Sequence, residues 1–349
     1  MQKIHSWLRA LPPPMLWTGI LTTVALVHIS YITNGYTWLD HGDLELGRAI
    51  LPLSRLFDAF LTPFGQTGFY RPLITIVHSL DAALYNNWAP GYHLTNVLLH
   101  LFATGAFALF LNQFLTLNLT ERLIGTLTAG IHPLSWLPAG AISYRPELLA
   151  TLFVFLTIYF HAKTRTSNQK RNIILTALCA GLGFLSKEST LVWIPGLILI
   201  WELCTPQKRY GQTIFIWELL ILIIYAGLRG FAVPDLWHAS ATTLPISQAL
   251  GTRLTSIGIL LWNLILPVLP ALSDATPIHT ITDFSAWITG ILCLAMGITV
   301  LSLGTKSPWT RVLLFVAVAI APALNLLPLP RFQSPHYGYL ASFGCGMTA

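Results

Sequence analysis

Charged residues are scarce in this chain: 9% of its 349 residues are Asp, Glu, Lys or Arg, 54% are apolar, and the mean hydropathy is +0.65. A soluble globular domain carries about 25% charge, so that class is excluded and an integral membrane protein is expected. Cysteine is sparse too. Cys179, Cys204, Cys293 and Cys345 show no C-x-x-C spacing, which argues against a zinc ribbon or a disulfide framework and leaves them as packing residues. No repeat with a period of about 20–50 residues and no low-complexity tract is present, so no solenoid is expected. The net charge of +6 does not gather into one basic patch. No nucleic-acid partner is therefore expected, and the basicity reads as membrane topology.

Long apolar runs dominate instead. At about 20 apolar residues per crossing, spans are expected near 13–33, 92–114, 122–141, 147–162, 172–186, 189–204, 212–231, 285–304 and 311–329. The expected fold is all-α and polytopic, with about nine spans. Segments 70–86 and 253–270, interrupted by Arg71, His78 and Asp81 and by Asn263, Pro267 and Pro270, read as interfacial or re-entrant helices. The first run is too long for a signal-peptide core and lacks a small-residue cleavage site, so it reads as an uncleaved anchor. With the N-terminus in the cytoplasm, eleven of the 19 basic residues but three of the 13 acidic ones fall on cytoplasmic ends, as the positive-inside rule requires. Were 70–86 a full span, the basic loop Lys163–Arg171 would move outside. The chain reads as one membrane-embedded domain, 1–349, with its longest non-spanning region at 34–91. Its last residues, from Tyr337, begin an apolar segment that stops too early to cross, so a truncated C-terminal end is expected.

The first outer loop opens with Asp40, His41, Asp43 and Glu45 directly after the first span. Arg71, Arg145 with Glu147, Lys187 with Glu188, and His336 meet the same face. Ionisable groups at span ends are costly to place and are functional candidates. A carboxylate beside cations suits a reaction in which an acceptor hydroxyl loses its proton to the carboxylate while Arg and Lys hold a phosphate leaving group. Glycosyl transfer from a lipid-linked phosphosugar is such a reaction. Asp40 is the favoured base and Asp43 the second choice; as a helix N-cap, Asp40 would have a purely structural role. Arg71, Arg145 and Lys187 either hold the donor phosphate or pair with carboxylates such as Glu147 and Glu188. His93 and His100, seven residues apart, lie two helical turns from each other, too far for adjacent zinc ligands. No cofactor is expected, although Asp40, Asp43 and Glu45 offer oxygen ligands of the kind Mg²⁺ or Mn²⁺ takes.

Read in order, these residues resemble the C-type glycosyltransferases, most closely the branch of transmembrane and tetratricopeptide-repeat O-mannosyltransferases and their bacterial relatives. Leu39-Asp40-His41 resembles that branch's Asp-Asp-His element, with Leu39 in place of the first Asp. Tyr70-Arg71-Pro72-Leu73 follows, then Gly91 through His100, which fits Gly-Tyr-His-Leu-x-Asn-x-Leu-Leu-His. His132-Pro133 precedes Tyr144-Arg145-Pro146-Glu147-Leu148-Leu149-Ala150, and Leu185-Ser186-Lys187-Glu188 comes next. Pro335 to Ser342, with His336 and Tyr337, resembles a last element but lacks its Glu-Arg pair.

The resemblance implies a multi-span helical enzyme of the bacterial inner membrane that inverts the sugar carbon. It further implies a polyprenyl- or dolichyl-phosphate sugar as donor and a protein, lipid or glycan as acceptor, at the extracytoplasmic face. Asp40 and Asp43 would be catalytic, and Arg71, Arg145, Lys187 and His336 would bind the donor phosphate. His41, Glu45, Tyr70, His93, His132, Glu147, Glu188 and Tyr337 would surround the substrates. No repeat domain is expected within 1–349. The competing readings are a lipid or polysaccharide transporter or flippase, and an inactive binding or scaffold member of the same fold. Transporters place charges near the bilayer midplane in two related halves, which this chain does not.

Overall fold

The computed structural model describes residues 12–65, 68–167, 169–205, 212–234, 244–266, 277–324 and 333–348, and every regular element among them is helical. Helix α1, Pro13–His28, starts on prolines, whose missing N–H costs nothing in a first turn, and continues as a 3₁₀ turn to Thr33. Then come α2, Asp40–Ala49, α3, Pro72–Tyr85, α4, Ala89–Phe114, and α5, Leu119–Gly130. Asn118 and Glu121 close a capping box at the start of α5, each side chain accepting from the other's backbone N–H. The order continues with α6, Arg145–Ser167, α7, Lys170–Phe184, α8, Thr190–Cys204, and α9, Ile214–Ala232. It ends with α10, Ile246–Ile265, α11, Phe284–Leu303, α12, Pro308–Ile320, and α13, Tyr339–Gly346.

Among the described residues, 5 helical segments are long and apolar enough to cross a membrane: Pro13–Thr33, Ala89–Phe114, Ile142–Ser167, Ile214–Ala232 and Phe284–Leu303. These coincide with five of the nine expected spans, and the other four come out shorter for local reasons. Segment 122–141 is broken after α5 by Pro133, which opens a 3₁₀ turn before a short helix at Trp136–Gly140. Helices α7 and α8 have 15 residues each, roughly 22 Å at 1.5 Å per residue, against about 30 Å of hydrocarbon. Helix α12 runs through a 3₁₀ turn to Leu324, beyond which 325–329 lie outside the described residues. Segment 70–86 is the 14-residue α3, too short to cross. Segment 253–270 falls in α10, a 20-residue helix that does not reach the apolarity of a span, and 267–270 lie outside the described residues.

Helices α4 and α6 form the centre, packing on each other, and α6 also packs on α7. Phe107, Phe110 and Phe114 of α4 meet Phe155 of α6, Phe315 of α12 and Phe343 of α13, all fully buried. By contrast only 11% of the spanning window of α1, α9 or α11 is buried. Phe284, Trp287, Ile291 and Leu301 of α11 are exposed, as lipid-facing side chains must be when the surrounding solvent is hydrocarbon. At one end of the bundle Arg311 donates to the carbonyls of Phe114 (2.7 Å) and Cys204, closing the last turns of α4 and α8.

Helices α5 and α13 touch backbone to backbone. A Cβ at Gly125 would lie 2.2 Å from the Gly346 carbonyl oxygen, while one at Gly105 would meet nothing within 4 Å. Small residues permit this kind of close approach. Gly125→Ala should therefore push the helices apart at a cost of about 1–3 kcal/mol, seen as a lower melting temperature in detergent. Gly105→Ala should be neutral or stabilising by about 0.5–1 kcal/mol.

Candidate active site

The outer-loop carboxylates sit on α2, whose first turn carries Asp40 and Asp43 on one face at i,i+3. Asp40 is fully buried. Its Oδ2 accepts from the Thr37 backbone N–H (2.7 Å), and its Oδ1 accepts from the backbone N–H (2.9 Å) and hydroxyl (2.8 Å) of Ser143. Three donors therefore hold this carboxylate, which ties α2 to the turn before α6. Asp43 is half-buried. Burial pushes its carboxyl up to about 6, with the Asp40 charge adding to the rise and Ser143, Arg145 and Arg71 opposing it. A partly accessible carboxyl with a pKa near 6 is a better proton acceptor than a fully buried one already held by three donors.

Arg71 lies across from this pair. Its Nε and Nη2 donate to Glu188 Oε2 at 2.9 and 2.7 Å, and its guanidinium stacks on Phe69, 4.1 Å from the ring centroid. Nη1 has no hydrogen-bond partner among the described residues, and the side chain stays 13% exposed. Glu188 also accepts from the Tyr70 backbone N–H at 3.0 Å and lies 4.0 Å from Arg229 on α9. Lys187 pairs with Glu147, and His336 Nε2 lies 3.6 Å from the same Glu147 oxygen. Glu147 Oε2 is buried without a partner among the described residues. Burial lowers the Lys187 pKa, and Glu147 opposes that shift. Arg71, Arg229 and Lys187 thus face Glu147 and Glu188, and of these cations Arg71 is the one whose charge bears on Asp43.

Arg145 does not fit the expected donor-phosphate role. It is fully buried, with Nη2 2.7 Å from Asp81 Oδ2. Nε donates to Asn96 Oδ1 (2.8 Å), Nη2 to the Tyr92 carbonyl (3.1 Å), and Nη1 lies 3.2 Å from His78 Nδ1. The guanidinium therefore links α3, α4 and α6 under the site instead of facing a ligand. Several expected neighbours of the substrate are structural as well. Tyr70 donates its hydroxyl to the Phe60 carbonyl, and burial pushes that hydroxyl up to about 12. His132 accepts from the Leu134 N–H and faces the Leu264 carbonyl, while His93 Nε2 lies 3.3 Å from the Gly35 carbonyl. His41 is exposed beside Tyr36, and Tyr337 stacks against His336 at 4.3 Å. Glu45 points into solvent and pairs with Arg48 at 3.1 Å, so Asp40, Asp43 and Glu45 do not converge on a cation. No cluster suited to a metal occurs among the described residues.

Asp81 and Asn96 enter the sequence reading only as an interruption of 70–86 and as part of the Gly91–His100 motif, and Arg229 does not enter it. Each lies inside an apolar helix, and no spacing along the chain marks its partner.

The family described as dolichyl-phosphate-mannose-protein mannosyltransferase matches residues 118–228, the stretch that carries Ser143, Arg145, Glu147, Lys187 and Glu188. The human protein O-mannosyl-transferase TMTC2 is 27% identical over 289 residues, 71% of this chain and 33% of the relative. Its mouse counterpart is 34% identical over 135 residues, 37% of this chain and 16% of the relative. The Caenorhabditis elegans protein O-mannosyl-transferase F38B6.6 is 30% identical over 135 residues, 38% of this chain and 19% of the relative. The matches span a third or less of these relatives' length, and no solved structure matches the chain. With the ordered motifs and the helical membrane fold, these similarities make the chain a sequence relative of the protein O-mannosyltransferases.

Proposed function

We propose that the protein is an inverting glycosyltransferase that moves a sugar from a polyprenyl- or dolichyl-phosphate to an acceptor hydroxyl at the membrane surface. The carrying observation is the partly accessible Asp43 carboxyl, with its pKa near 6, beside Arg71 and its unoccupied Nη1. In this reading the acceptor's O–H gives its proton to Asp43 as the oxygen attacks the anomeric carbon. The bond from that carbon to the phosphate oxygen breaks on the opposite face, and the released phosphate is held by Arg71 with support from Lys187 and Arg229. Asp40 positions α2, and Glu147 Oε2 is the acceptor left for a sugar hydroxyl. The N-terminus lies in the cytoplasm and the site on the extracytoplasmic side of the inner membrane, as the charge bias suggests. The test is transfer of label from purified polyprenyl-phosphate sugars by the purified chain; retention of all label on the donor, with neither transfer nor hydrolysis, would sink the reading.

Two further outcomes are expected. Arg71→Ala should weaken donor binding by about 10–100-fold, the loss of one charge-assisted contact, with little change in stability because Glu188 keeps Arg229. Unchanged donor affinity would remove Arg71 from the site. For sidedness, a cysteine at the exposed Ser167 should react only from the cytoplasm and one at Thr37 only from outside. Thr164, which the sequence places in a loop, is a buried residue of α6 and is no labelling site; Thr67 and Asn168 lie outside the described residues.

A further inference from the structure

We propose that the cleft between the end of α6 and the start of α7 binds a phosphate-bearing anion at the membrane surface opposite the candidate active site. The cleft holds about 240 Å³ and is lined by Lys163, Arg171, Tyr159, Thr166 and Asn172 among others, with no carboxylate in its wall. Lys163 lies 18 residues beyond Arg145 on the same helix, roughly 27 Å along its axis, about one hydrocarbon thickness from the active-site end. The neighbouring charges are already compensated. Arg165 donates to Glu202 at 2.7 Å, and His161 sits between Glu202 (3.1 Å) and Glu218 (2.7 Å). Lys163 and Arg171 therefore face the cleft with their charges unmatched: Lys163 has only the Tyr159 ring at 5.7 Å, and Arg171 is exposed with no ion pair among the described residues.

The hydroxyls at the end of α6 are turned back onto its own backbone. Thr166 donates to the Ala162 carbonyl at 2.9 Å and Ser167 to that of Lys163 at 2.7 Å. Asn172, buried at 4% exposure, donates to Ser167 Oγ and fixes the turn. Two cations, a neutral polar wall and a place at the bilayer surface suit the phosphate of an anionic lipid headgroup; inorganic phosphate shares the chemistry.

The test compares the purified full chain in nanodiscs of phosphatidylglycerol and of phosphatidylcholine, and in detergent with added inorganic phosphate. The expected result is a melting temperature several degrees higher in phosphatidylglycerol, with the difference lost in Lys163→Gln/Arg171→Gln. A rise produced by inorganic phosphate and lost in the same variant would assign the free anion as the ligand. Equal shifts in the variant and the unmodified chain, or no shift with either probe, would overturn the site. If the double variant does not fold, Arg171→Gln, at an exposed side chain with no ion pair among the described residues, carries the same comparison.

Discussion

Asp43→Asn is expected to lower sugar transfer by about 10²–10⁴-fold, the usual worth of a positioned general base, with melting temperature and donor affinity near those of the unmodified chain. Asn keeps the shape and an oxygen to accept from Ser143 but cannot take a proton, and the side chain is half-buried in the first turn of α2. Asp43 must be ionised to work, and its pKa is about 6. Turnover should therefore rise with pH through about 6 and level off above it, and this acidic limb should vanish in Asp43→Asn. In Arg71→Ala the limb should move to higher pH, because the nearby positive charge that favours the carboxylate is gone. Asp40→Asn should behave differently. Its two oxygens accept three hydrogen bonds, and Asn has one acceptor oxygen, so a buried N–H loses its partner at about 1–3 kcal/mol. A loss of turnover accompanied by lower stability marks Asp40 as a positioning residue. If Asp40→Asn instead kept full stability and lost transfer while Asp43→Asn stayed active, the two roles would be exchanged.

Much of the helical frame was legible because a bilayer demands long apolar runs, and α1, α4, α6, α9 and α11 supply them. The shorter helices were not, because hydropathy does not register a Pro133 that breaks a helix or a chain that turns back after 15 residues. The charged residues of the site were legible as a set, since each is conspicuous in an apolar chain. Their pairing was legible only in part: Arg71 and Lys187 do take Glu188 and Glu147, one of the two expectations, but the sequence does not mark which takes which. Arg145 stands two residues from Glu147, yet its ion pair is with Asp81, while Glu147 takes Lys187 and Arg71 takes Glu188. These partners are far apart in sequence and meet only because α3, α4, α6 and the α7–α8 turn pack together. The same packing buries Asp40 fully and leaves Asp43 half-buried within reach of the Arg71 charge, although three residues of sequence make the two look equivalent.

Arg145→Gln is expected to destabilise the protein by about 3–5 kcal/mol, because it leaves the buried Asp81 charge without its counterion. The four contacts of the guanidinium reach α3, α4 and the Tyr92 carbonyl, so the loss would be felt across the floor of the site and not at one surface. A donor-phosphate ligand would give the opposite pattern: weaker donor binding with unchanged stability. Thermal unfolding in detergent beside donor titration separates the two. Asp81→Asn in the Arg145→Gln background should restore most of the lost stability, since two neutral amides can hydrogen-bond where a lone carboxylate cannot be tolerated. Arg145→Lys should fall between, because an ammonium keeps the charge for Asp81 but cannot span Asn96, Tyr92 and His78 together. If Arg145→Gln melts with the unmodified chain and binds donor poorly, the guanidinium is a ligand after all, and the Asp81 contact only parks it between turnovers.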